Sequence, residues 1–150
     1  MCKNKIRVYL DNCCFNRPFD DQEHPIIMLE TEAKLQIQHL ALLGDLSLVW
    51  SFILHYENND NPFSERRNQI ALWENVADCA VTYSEALYDR AEIIMEQGIK
   101  NKDALHIASA LEAGADYFIT TDKKLLNKKI EKMMIINPLD FLRRFFYYES

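Results

Sequence analysis

Short, continuous apolar runs alternate with segments of helical periodicity along most of this chain. Strands that are apolar throughout, rather than at every second residue, indicate a sheet that is buried on both faces. Alternation with helices makes such a sheet parallel and covers both of its faces. We therefore expect an α/β fold of three layers, in which helices flank a central parallel sheet of about five strands. The predicted strands are Ile6 to Leu10, Leu46 to Ser51, Cys79 to Thr82, Tyr117 to Thr120 and Met133 to Ile136.

Helical spacing is clear between Pro25 and Leu43, where Pro25 suits the first turn and Gly44 the residue that follows the helix. The chain has only three Gly and four Pro, without a repeat or a change in composition, which predicts one domain over residues 1–150. Further helices are expected around Ile53 to Asn58, over Pro62 to Ala77, from the N-cap Ser84 to Gly98, from about Lys102 to Ala113, and after Pro138.

Composition excludes several classes of protein. A hydrophobic content of 49% over 150 residues is enough for one core and argues against disorder. No apolar run is long enough to cross a membrane and the first residues lack an apolar signal core, so we expect a cytoplasmic protein. In that compartment the thiols stay reduced. The four cysteines are Cys2, Cys13, Cys14 and Cys79.

The net charge of -6 has the wrong sign for a protein that coats nucleic acid non-specifically. It does not exclude a nuclease, because carboxylates that bind cations add negative charge and the bound metals reverse the local field.

Acidic residues stand where the predicted parallel strands end. Asp11 directly follows the first strand, and Asp122 lies two residues beyond the fourth. Asp103 opens the helix that leads into the fourth strand, and Glu57 lies on the helix after the second. Because sites in such sheets lie beyond the carboxyl ends of the strands, we expect these four carboxylates to converge.

Gathered carboxylates raise one another's pKa unless a cation lies between them. Mg²⁺ and Mn²⁺ prefer oxygen ligands, whereas a zinc site would normally include His or Cys. Such ions activate water and hold phosphate oxygens for displacement. Taken singly, Asp11 and Asp122 can equally cap the segments that follow them. Asp103 can complement the helix dipole, and Glu57 can be one more solvated helix residue. Residue type and spacing therefore indicate an acidic, metal-binding cleft and no more.

The segment from Asp103 to Asp122, DALHIASALEAGADYFITTD, resembles the second half of PIN-domain nucleases, including the VapC-type toxins. In that family an Asp opens a helix with small residues on one face, a Gly-Ala-Asp turn follows, and the next strand ends in Thr-Thr-Asp. The run RVYLD that ends at Asp11 resembles the first strand and first metal-binding Asp of the family. The resemblance extends from Ile6 to about Leu142.

The resemblance implies a PIN fold and a hydrolase that cleaves single-stranded RNA with water activated by Mg²⁺ or Mn²⁺. Asp11, Asp103 and Asp122 match the metal-binding positions of the family. Glu57 corresponds to its second acidic residue through the stretch SFILHYE, although that motif is loose and Asp60 is an alternative.

Three further residues lie beside these positions. Asn12 stands where the family usually has Ser or Thr, and it can donate a hydrogen bond to a ligand carboxylate. Thr121 matches the hydroxyl residue that often precedes the last Asp, which implies a supporting role. Arg17, in the polar segment after Asn12, is a candidate for contact with the substrate. An ordinary surface turn is the other interpretation of that segment.

Lysines follow Asp122 closely. Lys123 and Lys124 are the candidates to contact an RNA backbone, although such charge runs are usually solvated surface. His55 and His106 lie near the carboxylates in sequence, but a helical His is more often structural than a catalytic base. The whole basic cluster is Lys123, Lys124, Lys128, Lys129 and Lys132.

Partners follow from the resemblance alone. Toxins of this family pair with small antitoxin proteins and commonly form homodimers. The aromatic tail from Phe145 to Tyr148 is too apolar to leave in water, and we expect it to pack on the domain, on a second subunit or on a protein partner.

Two other classes of protein compete with this interpretation. One is a non-catalytic PIN-like scaffold for RNA processing, which the looseness of the Glu57 motif keeps open. The other is a phosphoacceptor receiver domain, which needs an acidic pair after the first strand and a Lys after the last. Here Asn12 follows Asp11, and Asn137 with Pro138 follows the fifth strand, so the receiver is excluded.

Overall fold

The computed structural model describes residues 5–149 of the chain and their side chains as far as residue 147. Its centre is a five-stranded sheet in the order β3-β2-β1-β4-β5, and each of the four neighbouring pairs is parallel. The predicted α/β fold with a parallel sheet is thereby confirmed. The strands are β1 (Ile6–Leu10), β2 (Leu46–Ser51), β3 (Cys79–Val81), β4 (Tyr117–Ile119) and β5 (Met134–Ile136).

Helices flank the sheet. A 3₁₀ turn over Arg17–Phe19 follows the first helix, and a π-helical turn over Phe145–Glu149 follows the last. The helices are α1 (Asn12–Asn16), α2 (Pro25–Leu42), α3 (Phe52–Asn59), α4 (Ser64–Ala71), α5 (Trp73–Val76), α6 (Glu85–Met95), α7 (Asn101–Glu112), α8 (Lys123–Leu126) and α9 (Pro138–Arg144).

The strand order reverses at β1. The chain first moves outward from β1 to β2 and β3, and then returns through α6 and α7 to place β4 on the other side of β1. Right-handed crossovers in opposite directions put α2 and the α6–α7 pair on opposite faces of the sheet. A crevice forms at such a reversal, beyond the carboxyl ends of β1 and β4.

The core is continuous across the strands and both helical layers. Tyr9 and Phe118 stack in the centre of the sheet with their ring centroids 5.3 Å apart. On α7 the small residues Ala104 and Ala108 are fully buried, which lets this helix approach the sheet closely. This close packing fixes the position of the first turn of α7, where Asp103 lies.

One predicted helix is wrong in extent. The expected helix over Pro62 to Ala77 is divided into α4 and α5, because the chain tightens at Leu72. There the amide of Asn75 bonds to the carbonyl of Leu72, which is a three-residue step. The periodicity of the sequence continues across this point, so it conceals the break.

The remaining expectations concern thiols, the tail and membranes. Cys13, Cys14 and Cys79 are free thiols, and Cys2 lies outside the described residues. Phe145 is buried against Phe141, whereas the ring of Tyr147 is 78% exposed. The side chain of Tyr148 lies outside the described part. Among the helices that the structure describes, none has the length and apolar character needed to cross a membrane.

Candidate active site

Five carboxylates line one cavity of about 390 Å³ at the carboxyl edge of the sheet, and they include all four that the sequence predicts. Asp11 and Asp122 follow β1 and β4, which flank the crevice, while Glu57 comes from α3 and Asp103 from α7. Asp60, the alternative to Glu57, ends α3 and is not among the lining residues. The lining residues are Asp11, Asn12, Cys13, Asn16, Asp20, Glu57, Asp103 and Asp122.

Asp11 is only 5% exposed, and hydrogen bonds hold its carboxylate in place. Its carboxylate caps α1 by accepting the amide of Asn12 at 2.8 Å, and it accepts the hydroxyl of Thr120 at 2.8 Å. A buried carboxylate needs such donors, because burial without them is costly. The hydroxyl beside Asp11 therefore belongs to Thr120.

Thr121, for which the family motif implied this supporting role, is placed differently. Its backbone amide donates to the Cys13 thiol at 3.4 Å. The amide of Thr120 bonds to the carbonyl of Ile136 and so extends the strand pairing. Successive residues of an extended chain point to opposite sides, so only one of the two threonines can face Asp11.

Asp122 begins the short helix α8. Its carboxylate accepts the amide of Lys124 at 2.9 Å, and its own amide donates to the hydroxyl of Thr120 at 3.1 Å. Thr120 thus connects the two aspartates that follow β1 and β4.

Glu57 is held by a buried line of side chains that are hydrogen-bonded to one another. The Nε2 atom of His106 is hydrogen-bonded to Glu57, and its Nδ1 atom lies 2.6 Å from the hydroxyl of Tyr9. That hydroxyl lies 2.6 Å from the hydroxyl of Ser51. The side-chain amide of Asn12 donates to the other oxygen of Glu57 at 3.1 Å.

The sequence interpretation of His106 as structural missed this contact. One signal was present, because His106 lies three residues after Asp103 and therefore on the same face of α7. Burial tends to raise the pKa of Glu57, but the hydrogen bond and charge of His106, together with Lys102 and Asn12, lower it below its usual value. Glu57 is thus kept ionised.

The pKa of Asp103 is shifted in the opposite direction to that of Glu57. Its pKa is raised by burial and by the charges of Asp11, Asp122 and Glu57, and His106 offsets this only in part. The carboxylates are therefore close enough to repel one another. Within residues 5–149, however, no three His, Cys, Asp or Glu side chains form a preassembled metal-binding group. The carboxylates surround the cavity instead of meeting at a point.

The residues of this cavity fit Mg²⁺ or Mn²⁺. The acidic side chains offer hard oxygen ligands, and burial together with the charges of the neighbouring carboxylates raises the pKa of Asp103, which His106 offsets only in part. Mg²⁺ typically retains several waters and binds through one or two carboxylates with the phosphates of its substrate, so a wide cavity suits it. The single soft atom is the sulfur of Cys13, 3.5 Å from the carboxylate of Asp11.

The three proposed substrate contacts differ in their surroundings. Arg17 forms ion pairs with Asp20 at 3.0 Å and with Glu30 at 2.9 Å, and its contact with the substrate stays a prediction. Lys123 and Lys124 are both exposed, and Lys124 lines a neighbouring cavity together with Asp103 and Asp122.

The reversed parallel sheet and the acidic cavity at its carboxyl edge define an α/β protein of the kind that binds ligands at a topological switch point. A family model of the PIN domain matches residues 8–131, and the chain belongs to this family, as the resemblance predicted. No curated protein matches it by sequence.

Among solved structures the fold is similar to a chain of VapBC2 from Rickettsia felis, bound to a DNA fragment from the VapBC2 promoter. The TM-score is 0.57 and the identity 17%, over 88% of this chain and 98% of the other. At this identity the likeness concerns the fold.

Proposed function

We propose that this PIN-domain protein is an endoribonuclease that cleaves single-stranded RNA with water activated by Mg²⁺ or Mn²⁺. The proposal is carried by one observation: among the carboxylates that line one cavity, Asp11, Asp122 and Glu57 together raise the pKa of Asp103. A divalent cation is the simplest way to let all four stay ionised together. The position at the switch point of a PIN-domain sheet supports the same conclusion.

Each residue has a role in this mechanism. Asp11, Glu57, Asp103 and Asp122 would hold the metal, which when bound lowers the pKa of a water and neutralises charge on the phosphate. Asn12, Thr120 and His106 orient these carboxylates through the hydrogen bonds described above.

We also propose that the protein is the toxin of a toxin–antitoxin pair that acts in the cytoplasm, binds a small antitoxin protein and forms a homodimer. The resemblance to VapC-type toxins and the similarity of its fold to VapBC2 support this assignment. Growth arrest on expression, with rescue by a neighbouring small gene, is the expected outcome. Growth that is unaffected by the active protein would favour RNA processing.

The nuclease is tested with a labelled single-stranded RNA, Mg²⁺ or Mn²⁺, and the variants Asp11→Asn and Asp103→Asn. Loss of a supporting residue typically lowers metal affinity or activity about 10–100-fold, so loss of a ligand should cost at least about a hundredfold. EDTA should abolish cleavage. Asp60→Asn is the matched control, because Asp60 lies outside the cavity, and it should cleave normally.

One observation favours a second candidate, a non-catalytic PIN-like scaffold: the described residues contain no preassembled metal-binding group. Isothermal titration with Mg²⁺ and Mn²⁺ separates the two functions. Absence of both metal binding and cleavage would establish the scaffold. Cleavage that persists in both Asp→Asn variants would contradict the proposed mechanism.

A further inference from the structure

A second cavity of about 270 Å³ adjoins the acidic cavity and shares two of its residues, Asp103 and Asp122. We call it the lysine cavity, because three lysines line it. Since both aspartates line both cavities, the two spaces are neighbours at this edge of the sheet. The lining residues are Gly98, Ile99, Lys100, Asp103, Asp122, Lys124, Leu125 and Lys128.

Two of the three lysines are next to buried apolar residues in the sequence, which fix their positions at this cavity. Lys100 is the N-cap residue of α7 and follows Ile99, which is buried. Lys124 belongs to α8 and precedes Leu125, which is also buried. The apolar anchors fix the backbone on either side of the cavity, so two lysines that are far apart in sequence face the same space.

The third lysine is held by a turn. The Nζ atom of Lys128 donates to the carbonyl of Gln97 at 2.9 Å, next to Gly98, whose φ is +83°. A Cβ atom at Gly98 would lie 3.6 Å from that Nζ. The left-handed backbone of Gly98 therefore shapes the turn against which Lys128 packs.

The charge of these lysines is not neutralised by the aspartates beside them. Among residues 5–149, no ion pair within 4.0 Å joins Lys100, Lys124 or Lys128 to Asp103 or Asp122. Arg17, by contrast, is committed to two acidic partners. Positive and negative charge thus lie side by side, although the chain as a whole is acidic.

We propose that the lysine cavity binds a backbone phosphate of the RNA, next to the phosphodiester that lies over the carboxylates. This inference rests on the proposed nuclease function. A lysine ammonium group binds phosphate as a point charge and carries no sequence information, so the cavity would position the strand without selecting bases. The RNA would then run from the acidic cavity toward the start of α7 and α8.

The test measures binding of a labelled single-stranded RNA by fluorescence anisotropy at several salt concentrations in Mg²⁺. An Asp11→Asn parent prevents cleavage during the measurement. The variants are K100Q/K124Q, which leaves the bond of Lys128 to Gln97 intact, and K128Q. The control is K129Q, because Lys129 is as exposed as Lys100 and Lys124 but does not line the lysine cavity; the surface pocket that it lines is shared with Lys128.

Removing one lysine–phosphate interaction should reduce the slope of log affinity against log salt by about 0.7 for a single strand. We expect a decrease of about 0.7 for K128Q and about twice that for K100Q/K124Q, with the same effect on two RNAs of different sequence. K129Q should match the parent.

Slopes that match the parent in both variants would overturn the inference, as would an absence of RNA binding by the parent. The nuclease proposal fails separately: wild type that neither binds metal nor cleaves RNA would refute it, while the salt slopes would still decide whether the lysine cavity binds phosphate. Active wild type with unchanged slopes would refute only the lysine cavity.

Discussion

The hydroxyl of Thr120 contacts both aspartates at the ends of β1 and β4. It donates to the carboxylate of Asp11 at 2.8 Å and accepts the amide of Asp122 at 3.1 Å. Thr120 is fully buried, so water cannot replace it. The family motif alone pointed to Thr121, because a motif records order along the chain and not the side to which a residue points.

Thr120→Val keeps the shape of the side chain and removes its hydrogen bonds. We expect the free energy of unfolding to fall by about 1–3 kcal/mol, because a buried charged acceptor loses a donor. Mg²⁺ affinity should fall about 10–100-fold. Chemical denaturation and isothermal titration measure the two effects. Thr121→Val is the matched control and should change stability by less than about 0.5 kcal/mol. Equal effects of the two substitutions would refute the assignment.

At the scale of elements, two helices begin with the same capping contact. The hydroxyl of Ser51 accepts the amide of Leu54 at 3.2 Å at the start of α3, and that of Ser84 accepts the amide of Leu87 at 3.1 Å at the start of α6. Only Ser51 also contacts the buried line that leads through Tyr9 to His106 and Glu57.

The hydroxyl of Tyr9 stays protonated in this line. Burial raises the pKa of Tyr9 well above its usual value, and although the hydrogen bond to Ser51 lowers it, the charges of Asp11 and Glu57 raise it further. The cap of α3 therefore helps to orient Glu57 through the Tyr9 hydroxyl and the ring of His106.

Ser51→Ala and Ser84→Ala should each lower the free energy of unfolding by about 1 kcal/mol, through loss of a helix cap. Only Ser51→Ala should also weaken Mg²⁺ binding, because only Ser51 contacts Tyr9. Urea denaturation and metal titration of both variants make the comparison. A loss of metal affinity in Ser84→Ala, or none in Ser51→Ala, would show that Glu57 is oriented in another way.

Elements differ in how well the sequence predicts them. The five strands lie within a residue or so of their predicted positions, because burial on both faces leaves continuous apolar runs. The short helices α1 and α8 have five and four residues and are too short to show a period. From the sequence, Asp11 and Asp122 could equally be helix caps or metal ligands. In the structure each of them accepts a backbone amide of the helix that follows it.

For the molecule as a whole, the ionised carboxylate of Asp103 opposes folding unless a cation is present. The pKa of Asp103 in the folded state lies above its ordinary value of 3.8. For such a group the folded state binds the proton more tightly than the unfolded state. The contribution to stability is complete below the ordinary pKa and is lost as the pH rises through the raised one.

Asp103→Asn should therefore raise the melting temperature of the metal-free protein at neutral pH, and this gain should shrink as the pH falls toward 3.8. With Mg²⁺ at about 100 times its dissociation constant, wild type should gain about 2.7 kcal/mol and the variant less. Thermal denaturation at both pH values, in EDTA and in Mg²⁺, tests this. Asp60→Asn is the control, and destabilisation by Asp103→Asn at neutral pH in EDTA would contradict the prediction.

The strands, most of the helices and the placing of four acidic residues near the carboxyl edge of the sheet follow from the sequence alone. These features are local, since they depend on apolar runs, helix periodicity and the residues that end each element. Tertiary packing selects the groups that hold the carboxylates: Thr120, and His106 behind Glu57. It also brings Lys100 to the same cavity as Lys124 and Lys128. Such contacts depend on strand register and on the face that α7 turns to the sheet, and both are set by packing between segments far apart in the chain.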